Sequence, residues 1–208
     1  MKKQILNCSV LLSLFLTVLI TGNAYAAGDA AAGKTKSATC GGCHGMDGNS
    51  LVPTFPKLAG QGERYIVKQI ADYKANTTRQ DAMMIGMVAA LTDQDAADLG
   101  AYYQSQQLAS AAPFDESKIA LGREIYKGGN LQKGIPACQG CHGPAGAGNA
   151  PAGYPQIGGQ YVDYTLKQLK AFKAGTRSND KNELMRQLLV KMTDAEIEAV
   201  TQYIASLK

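Results

Sequence analysis

Two nearly identical hexapeptides constrain this chain more than any other feature. CGGCHG occupies residues 40–45, and CQGCHG occupies residues 138–143, 98 positions later in a chain of 208 residues. Together they contain both histidines of the sequence and four of its five cysteines. So unusual a string, written twice, predicts two equivalent chemical sites.

The sequence downstream of each hexapeptide repeats as well. FPKLAGQGERYIVKQIADYKA (55–75) matches YPQIGGQYVDYTLKQLKAFKA (154–174), and MMIGMVAALTDQDAADLGAYY (83–103) matches LMRQLLVKMTDAEIEAVTQYI (184–204). The same blocks in the same order predict two copies of one domain. A loop-like join at 107–116, which contains ASAAP, separates them. We therefore expect domains at residues 27–110 and 111–208.

The first 26 residues have the pattern of a secretory signal peptide. Lys2 and Lys3 precede an apolar run over residues 10–20, and AYA at 24–26 offers a cleavage site before Ala27. An uncleaved membrane anchor is the alternative, but the run is shorter than the about 18 to 20 residues needed to span a bilayer. We expect an exported chain that begins at Ala27.

Export changes the composition that matters. Cys8 is lost with the signal peptide, and the loss of Lys2 and Lys3 takes the formal net charge from +4 to +2. A charge this small does not favour a nucleic-acid-binding protein. The four remaining cysteines could form disulfides in an oxidising compartment, which is one alternative for the repeated motif.

Each copy is predicted to be helical. Apolar and aromatic residues recur at helical spacing, and the last helix of each copy is expected to begin at Thr92 or Thr193, with Glu196 completing a capping box in the second. No alternating strand pattern is present, and Gly, Pro and Asn fill the segment after each hexapeptide. About 90 residues with so few helices give a thin core, so a cofactor is expected to complete it.

The pattern Cys-x-x-Cys-His is the attachment signature of c-type haem. It sets two thiols about one helical turn apart for thioether bonds, and the next residue supplies an axial imidazole. The predicted attachment residues are Cys40, Cys43, Cys138 and Cys141. The motif histidines, His44 and His142, are each predicted to be one of the two axial ligands of a haem iron. The chain should therefore carry two covalently attached haem c groups.

Other uses of these cysteines explain less. Structural zinc needs a second ligand pair about 15 to 20 residues away, whereas the two motifs lie in separate repeats. A thioredoxin-like dithiol needs strand-helix-strand surroundings. Neither this dithiol nor ordinary disulfides explain the adjacent histidines.

The second axial ligand is predicted to be methionine. No third histidine exists, which leaves methionine, a weaker ligand such as Lys or Tyr, or an open site. Only Met84 and Met185 coincide when the two halves of the sequence are aligned, which favours methionine. Met83, Met87 and Met192 each align with a leucine in the other copy, as expected of residues that only pack in the core. Met87 remains the main alternative in the first domain.

The histidine rings need an orienting acceptor. A metal-bound histidine usually donates its other ring N–H to a carbonyl or carboxylate. Pro56 and Pro155 stand at matching steps after His44 and His142. Their backbone carbonyls are the proposed acceptors, and the alternative is that these prolines only shape a turn.

These motifs resemble the dihaem cytochrome c4 family. The resemblance rests on AGDA after the signal peptide, CxxCHGxDGNS (40–50), FPKLAGQGERY (55–65), LTDQD (91–95) and a second CxxCH domain, and it covers residues 27–208. It implies an all-α tandem repeat of two class I cytochrome c domains packed face to face, each wrapped around a covalent haem. The implied ligand pairs are His44 with Met84 and His142 with Met185.

The resemblance also implies a function. The family is periplasmic, often loosely membrane-attached, and carries single electrons towards haem-copper terminal oxidases, with a cytochrome bc-type complex as donor. Such a protein is not an enzyme, since His/Met coordination leaves no iron position for substrate. The alternatives are a dihaem peroxidase with an open iron, or the cytochrome subunit of a flavocytochrome-type dehydrogenase. Lys57, Lys68 and Lys167 are candidate docking residues, and the alternative is that they are only solvated surface charges.

Overall fold

The chain folds into two helical groups, one in each half of the sequence. The computed structural model describes residues 27–109 and 112–207, so the predicted signal peptide lies outside the described residues. Within that part, the only strand-like pairings are isolated bridges at Asn130–Ile135 and Asn149–Tyr154. The all-α prediction is confirmed.

The helices of the two halves correspond in order. The first half contains α1 (Ala30–Lys36), α2 (Gly41–His44), α3 (Glu63–Ala75), α4 (Ala82–Val88) and α5 (Asp93–Ser105). The second half contains α6 (Ile119–Gly128), α7 (Gln139–His142), α8 (Val162–Lys173), α9 (Leu184–Leu189) and α10 (Asp194–Ser206). In each half the first and third helices pack against the last one, so α1 and α3 contact α5 while α6 and α8 contact α10.

Capping boxes fix the start of both closing helices. The Thr193 hydroxyl accepts a hydrogen bond from the Glu196 N–H, and the Glu196 carboxylate accepts one from the Thr193 N–H, as predicted. Thr92 and Asp95 form the same box at the start of α5. The aspartate at this third position was missed in the sequence, where glutamate is the usual partner.

A glycine allows the terminal helices of each half to cross closely. A Cβ added to Gly33 in α1 would lie 2.0 Å from the carbonyl oxygen of Asp98, and one added to Gly122 in α6 would lie 2.1 Å from that of Ala199. No side chain fits at either point. The two crossings occupy equivalent positions in the repeat.

Each half has its own small apolar cluster, and the methionines and first cysteines lie against it. The first cluster contains Ile66, Ile70, Tyr73, Val88, Ala96, Leu99, Tyr102 and Tyr103, with Cys40 and Met84 partly buried against it. The second contains Ile125, Tyr126, Ile135, Leu169, Phe172, Leu189, Met192, Ile197, Val200, Tyr203 and Ile204, with Cys138 and Met185 partly buried against it. The small size of both clusters agrees with the thin core expected from the sequence.

The two halves pack against each other through polar contacts. The Tyr161 hydroxyl donates a 2.6 Å hydrogen bond to the Ser50 carbonyl, and the Ser178 N–H donates a 2.8 Å bond to the Thr78 carbonyl. Further bonds join side chains of one half to backbone groups of the other. The loops after the hexapeptides and the segments after α3 and α8 supply most of them.

The candidate docking lysines also contact the other half of the chain, and Lys68 and Lys167 remain exposed, so their docking role stays a prediction. Lys57 is only 6% exposed, with its ammonium 4.8 Å from the ring centroid of Tyr161. Lys68 donates a 2.9 Å hydrogen bond to the Asn179 carbonyl, and Lys167 lies 3.3 Å from the Asp81 carboxylate. These charges join the two halves, which helical spacing alone could not reveal.

Candidate functional site

The cysteine motifs form short helices that bring their functional groups together. Cys40 precedes α2 and Cys138 precedes α7, and the carbonyl of each accepts a 3.0 Å hydrogen bond from the N–H of the motif histidine four residues later. This single turn sets both cysteines and the histidine on one short segment. All four thiols are free, and burial raises the pKa of Cys138 to about 11. Unpaired cysteines next to a histidine fit thioether attachment, whereas a structural zinc site needs four protein ligands.

A tyrosine hydroxyl holds the loop that follows each motif. Tyr102 donates a 2.8 Å hydrogen bond to the Met46 carbonyl, and Tyr126 donates a 2.7 Å bond to the Gly143 carbonyl. Tyr102 lies on the last helix of its half, whereas Tyr126 lies on the first helix of its own. The two halves therefore reach the same contact from different positions in the repeat.

The two histidines are buried and oriented as predicted. Nδ1 of His44 lies 2.9 Å from the Pro56 carbonyl oxygen, and Nδ1 of His142 lies 3.0 Å from that of Pro155. A carbonyl only accepts, so each Nδ1 donates its proton. Burial lowers the pKa of both rings, against the opposing effect of the carbonyl. Each ring is thus neutral, with the lone pair of Nε2 free to bind a metal.

An aromatic side chain packs against each histidine in the same manner. Phe55 meets the His44 ring edge-on at a centroid distance of 6.2 Å, and Tyr154 meets the His142 ring at 6.3 Å. Both aromatic residues come directly before the proline that supplies the carbonyl. One short segment in each half therefore fixes both the rotation and the tautomer of the ring.

Burial separates the methionines into two groups. Met84 on α4 and Met185 on α9 are partly buried, and each packs against the apolar cluster that also contacts Cys40 or Cys138. Met87 is 48% exposed, whereas Met192 is 3% exposed within the second cluster. Exposure of Met87 and full burial of Met192 fit their interpretation as residues without a ligand role. Met84 and Met185 have the intermediate burial expected of a side chain that packs on a cofactor.

Two buried arginines lie where the halves meet, and the sequence did not single them out. Arg79 and Arg177 are 5% and 6% exposed, and in the described residues neither forms an ion pair with a carboxylate. Arg79 lies over the Tyr73 ring at 4.4 Å and Arg177 over the Phe172 ring at 4.3 Å. The Nε of Arg79 has no hydrogen-bond partner.

Both guanidinium groups are hydrogen-bonded to neutral side chains, Arg79 to Gln69 and Tyr164, and Arg177 to Gln168, Asn179 and Tyr65. A buried guanidinium without a charged partner is costly, and carboxylates are the groups that its fork of N–H donors matches best. The propionate carboxylates of haem supply that chemistry. The cysteine motifs, the oriented histidines and the half-buried methionines fit haem c, and the buried guanidinium groups carry a charge opposite to that of the propionates.

Residues 27–109 and 112–207 contain neither a separate metal site nor a membrane-spanning helix. No group of three or more His, Cys, Asp or Glu side chains could hold a metal ion by itself. No helix is long and apolar enough to cross a membrane.

Comparison with known proteins identifies the fold around these sites. The family model for cytochrome c matches residues 30–107 and again residues 119–208. The chain is 49% identical to cytochrome c4 of Azotobacter vinelandii over 206 residues, which cover 95% of this chain and 98% of that protein. The chain belongs to the cytochrome c4 family.

A solved structure of the family agrees with this assignment. The crystal structure of reduced recombinant cytochrome c4 from Pseudomonas stutzeri superposes with a TM-score of 0.84 at 46% identity, covering 88% of this chain and all of that one. The chain is also 34% identical to a thiosulfate dehydrogenase electron acceptor of Stutzerimonas stutzeri, over 81% of this chain and 78% of the relative.

These likenesses confirm the main predictions from the sequence. The protein consists of two cytochrome c domains and carries two covalent haem c groups. Like other cytochromes of the c4 family, it is an electron-transfer protein and not an enzyme. The peroxidase alternative is therefore set aside.

Proposed function

We propose that this protein is a periplasmic dihaem cytochrome that carries single electrons in respiration, from a cytochrome bc-type complex to a haem-copper terminal oxidase. The mature chain begins at Ala27 and its domains are residues 27–110 and 111–208. Loose association with the membrane surface would hold it near both partners. The observation that carries the proposal is that each half has a buried histidine oriented by a proline carbonyl, and a half-buried methionine that packs on the same apolar cluster as the first motif cysteine.

Each half is proposed to use one set of residues. Cys40 and Cys43 attach one haem, and Cys138 and Cys141 attach the other. His44 and Met84 would bind the haem iron in the first domain, and His142 and Met185 would bind it in the second. The bound haem supplies an iron that gains one electron from the donor and loses it to the acceptor, with no bond made or broken.

The chain's own residues favour transfer over catalysis. Pro56 and Pro155 hold the histidines in one orientation, so the ligand does not rearrange when the charge on the metal changes. With haem bound, the sulfur of Met84 or Met185 would raise the reduction potential and would leave the iron no position for water or substrate. These features suit a carrier that works late in an electron-transport chain.

Substitution of the methionines tests the ligand assignment. Met84→Ala and Met185→Ala should each remove about half of the sulfur-to-iron charge-transfer band of the oxidised protein and lower one of the two potentials, because methionine ligation raises the potential. Met87→Ala and Met192→Leu are the matched controls and should leave the band intact. A band lost in Met87→Ala, or unchanged in Met84→Ala, would refute the assignment.

The acceptor of a dehydrogenase is a second candidate role. It is favoured by the 34% identity to a relative named as a thiosulfate dehydrogenase electron acceptor. Stopped-flow measurements with the purified partners separate the two roles. Rapid oxidation of the reduced protein by a terminal oxidase supports the first proposal. Rapid reduction by a dehydrogenase, with slow transfer to the oxidase, supports the second.

A further inference from the structure

Two glutamines make reciprocal hydrogen bonds across the domain interface. The Gln160 side chain accepts a 3.0 Å bond from the Lys57 N–H and donates a 3.0 Å bond to the Lys57 carbonyl. The Gln61 side chain accepts a 3.0 Å bond from the Gln156 N–H and donates a 2.9 Å bond to the Gln156 carbonyl. Gln61 and Gln160 occupy the same position in the repeat, so the contacts are related by an approximate two-fold axis.

The backbone groups that they bind adjoin the histidine acceptors. The N–H of Lys57 belongs to the same peptide group as the carbonyl of Pro56, to which His44 donates. The N–H of Gln156 likewise shares a peptide group with the carbonyl of Pro155, to which His142 donates. One peptide unit therefore separates each histidine from a glutamine of the other domain.

This arrangement links the glutamine to the basicity of the histidine. An acceptor at the N–H end polarises the peptide and makes its carbonyl oxygen more negative, because hydrogen bonds in a chain strengthen one another. A more negative carbonyl oxygen accepts a stronger hydrogen bond from Nδ1–H. The stronger bond makes Nε2 a better electron donor to a metal. Gln61 and Gln160 are 6% and 8% exposed, so water does not compete for these bonds.

We propose that Gln61 and Gln160 are positioning residues that tune the reduction potential of the haem in the opposite domain. Gln160 acts on the first domain through Pro56 and His44, and Gln61 acts on the second through Pro155 and His142. The inference rests on the proposed histidine ligation. It gives the domain interface a redox role in addition to holding the halves together.

Removal of the acceptor should raise the potential of the opposite haem, since a weaker donor stabilises oxidised iron less. In Gln160→Met the reduced-to-oxidised ratio of the first haem at a fixed electrode potential should rise three- to tenfold, and tenfold corresponds to about 59 mV. Gln61→Met should act in the same way on the second haem only. Gln160→Glu keeps an oxygen for the Lys57 N–H, so it should not raise the potential.

Nuclear magnetic resonance supplies the readout. The haem methyl signals of the partly oxidised protein follow each haem separately, and Met84→Ala and Met185→Ala assign them to domains. The signal of the His44 Nδ1 proton should also shift upfield in Gln160→Met, because the hydrogen bond from Nδ1 to the Pro56 carbonyl weakens. A purely structural role of Gln160 would not produce this shift. The haem within the mutated domain serves as an internal reference.

Gln156→Met is the matched control. Its side chain makes a 3.4 Å interdomain bond to the Ala59 carbonyl, but only its backbone takes part in the contact with Gln61. This variant should lose an interface bond without changing either potential. A shift equal to that in Gln61→Met would overturn the inference, because loss of packing would then explain both.

The remaining outcomes also decide the question. A shift of the opposite haem alone supports the inference, whereas no shift, a shift in the mutated domain alone, or equal shifts in both would overturn it. Failure of the proposed function is separately visible, since the unmodified protein would then lack the sulfur-to-iron band of one or both haems.

Discussion

Arg79 donates a 2.9 Å hydrogen bond to the hydroxyl of Tyr164, which belongs to the other domain. Arg177, at the equivalent place in the repeat, donates a 3.1 Å bond to the hydroxyl of Tyr65. Burial alone would raise the pKa of Tyr65, but Arg177 and Arg79 together lower it. The domain interface is thus built around two reciprocal arginine-tyrosine contacts that carry positive charge.

Loss of this charge should make haem reduction less favourable. We expect Arg79→Gln to lower one reduction potential, because a buried cation favours the reduced and less positive iron. Arg64→Gln is the control, since Arg64 also reaches across the interface, to the Pro151 carbonyl at 3.1 Å, but is exposed. Potentiometry should show a clear fall for Arg79→Gln and little change for Arg64→Gln. Equal effects would mean that burial of the charge is irrelevant.

The close crossing of α6 and α10 should tolerate no added methyl group. Gly122→Ala should destabilise the second domain by about 1–3 kcal/mol, the usual cost of overpacking, because the new Cβ would lie 2.1 Å from the Ala199 carbonyl oxygen. Gly128 lies on the same helix with nothing within 4 Å of an added Cβ. Gly128→Ala should be neutral or stabilising by up to about 1 kcal/mol. Urea unfolding measures both, and equal stabilities for the two variants would contradict this reading.

Acid should weaken the first domain through Asp98. Its hydrogen bond with Lys36, together with bonds from the Asp29 N–H and Gln94, lowers its pKa to about 2. The unfolded chain has an Asp pKa of about 3.9. A depressed native pKa stabilises the fold above the unfolded value, and this contribution disappears as the pH falls from about 4 to about 2.

In Asp98→Asn, the free energy of unfolding should therefore fall less steeply as the pH decreases from about 4 to about 2. Asp93→Asn, which alters an exposed carboxyl on the same helix, is the control and should keep the original slope. Chemical denaturation at a series of pH values gives both slopes. Identical pH profiles for Asp98→Asn and the unmodified protein would show that Asp98 does not contribute.

Local patterns in the sequence were enough to predict the sites but not the interface. The sequence predicted the attachment motifs, the proline carbonyls and the Thr193 capping box because each depends on residues that are close in sequence or that recur in the repeat. The structure contains both proline contacts and the capping box. Arg79, Gln61 and Gln160 act on the other domain, about 85 to 103 positions away. No periodicity encodes such a pairing. Their recurrence in both halves was the only signal available.

The interdomain contacts of the lysines were not predicted for the same reason. Helical spacing contains no information about the surface of a second domain, although Lys68 and Lys167 are exposed as expected. The capping box at the start of α5 was not predicted, because such a box is usually recognised by glutamate or glutamine at its third position. Here Asp95 closes the box with Thr92.

Intact-protein mass spectrometry with peptide mapping, on protein exported with its own leader, tests the central claim most directly. The predicted result is a polypeptide that begins at Ala27 with two added haem groups, one on the peptide containing Cys40 and Cys43 and one on the peptide containing Cys138 and Cys141. A mature chain with one haem or none, or with a disulfide in either motif, would contradict it.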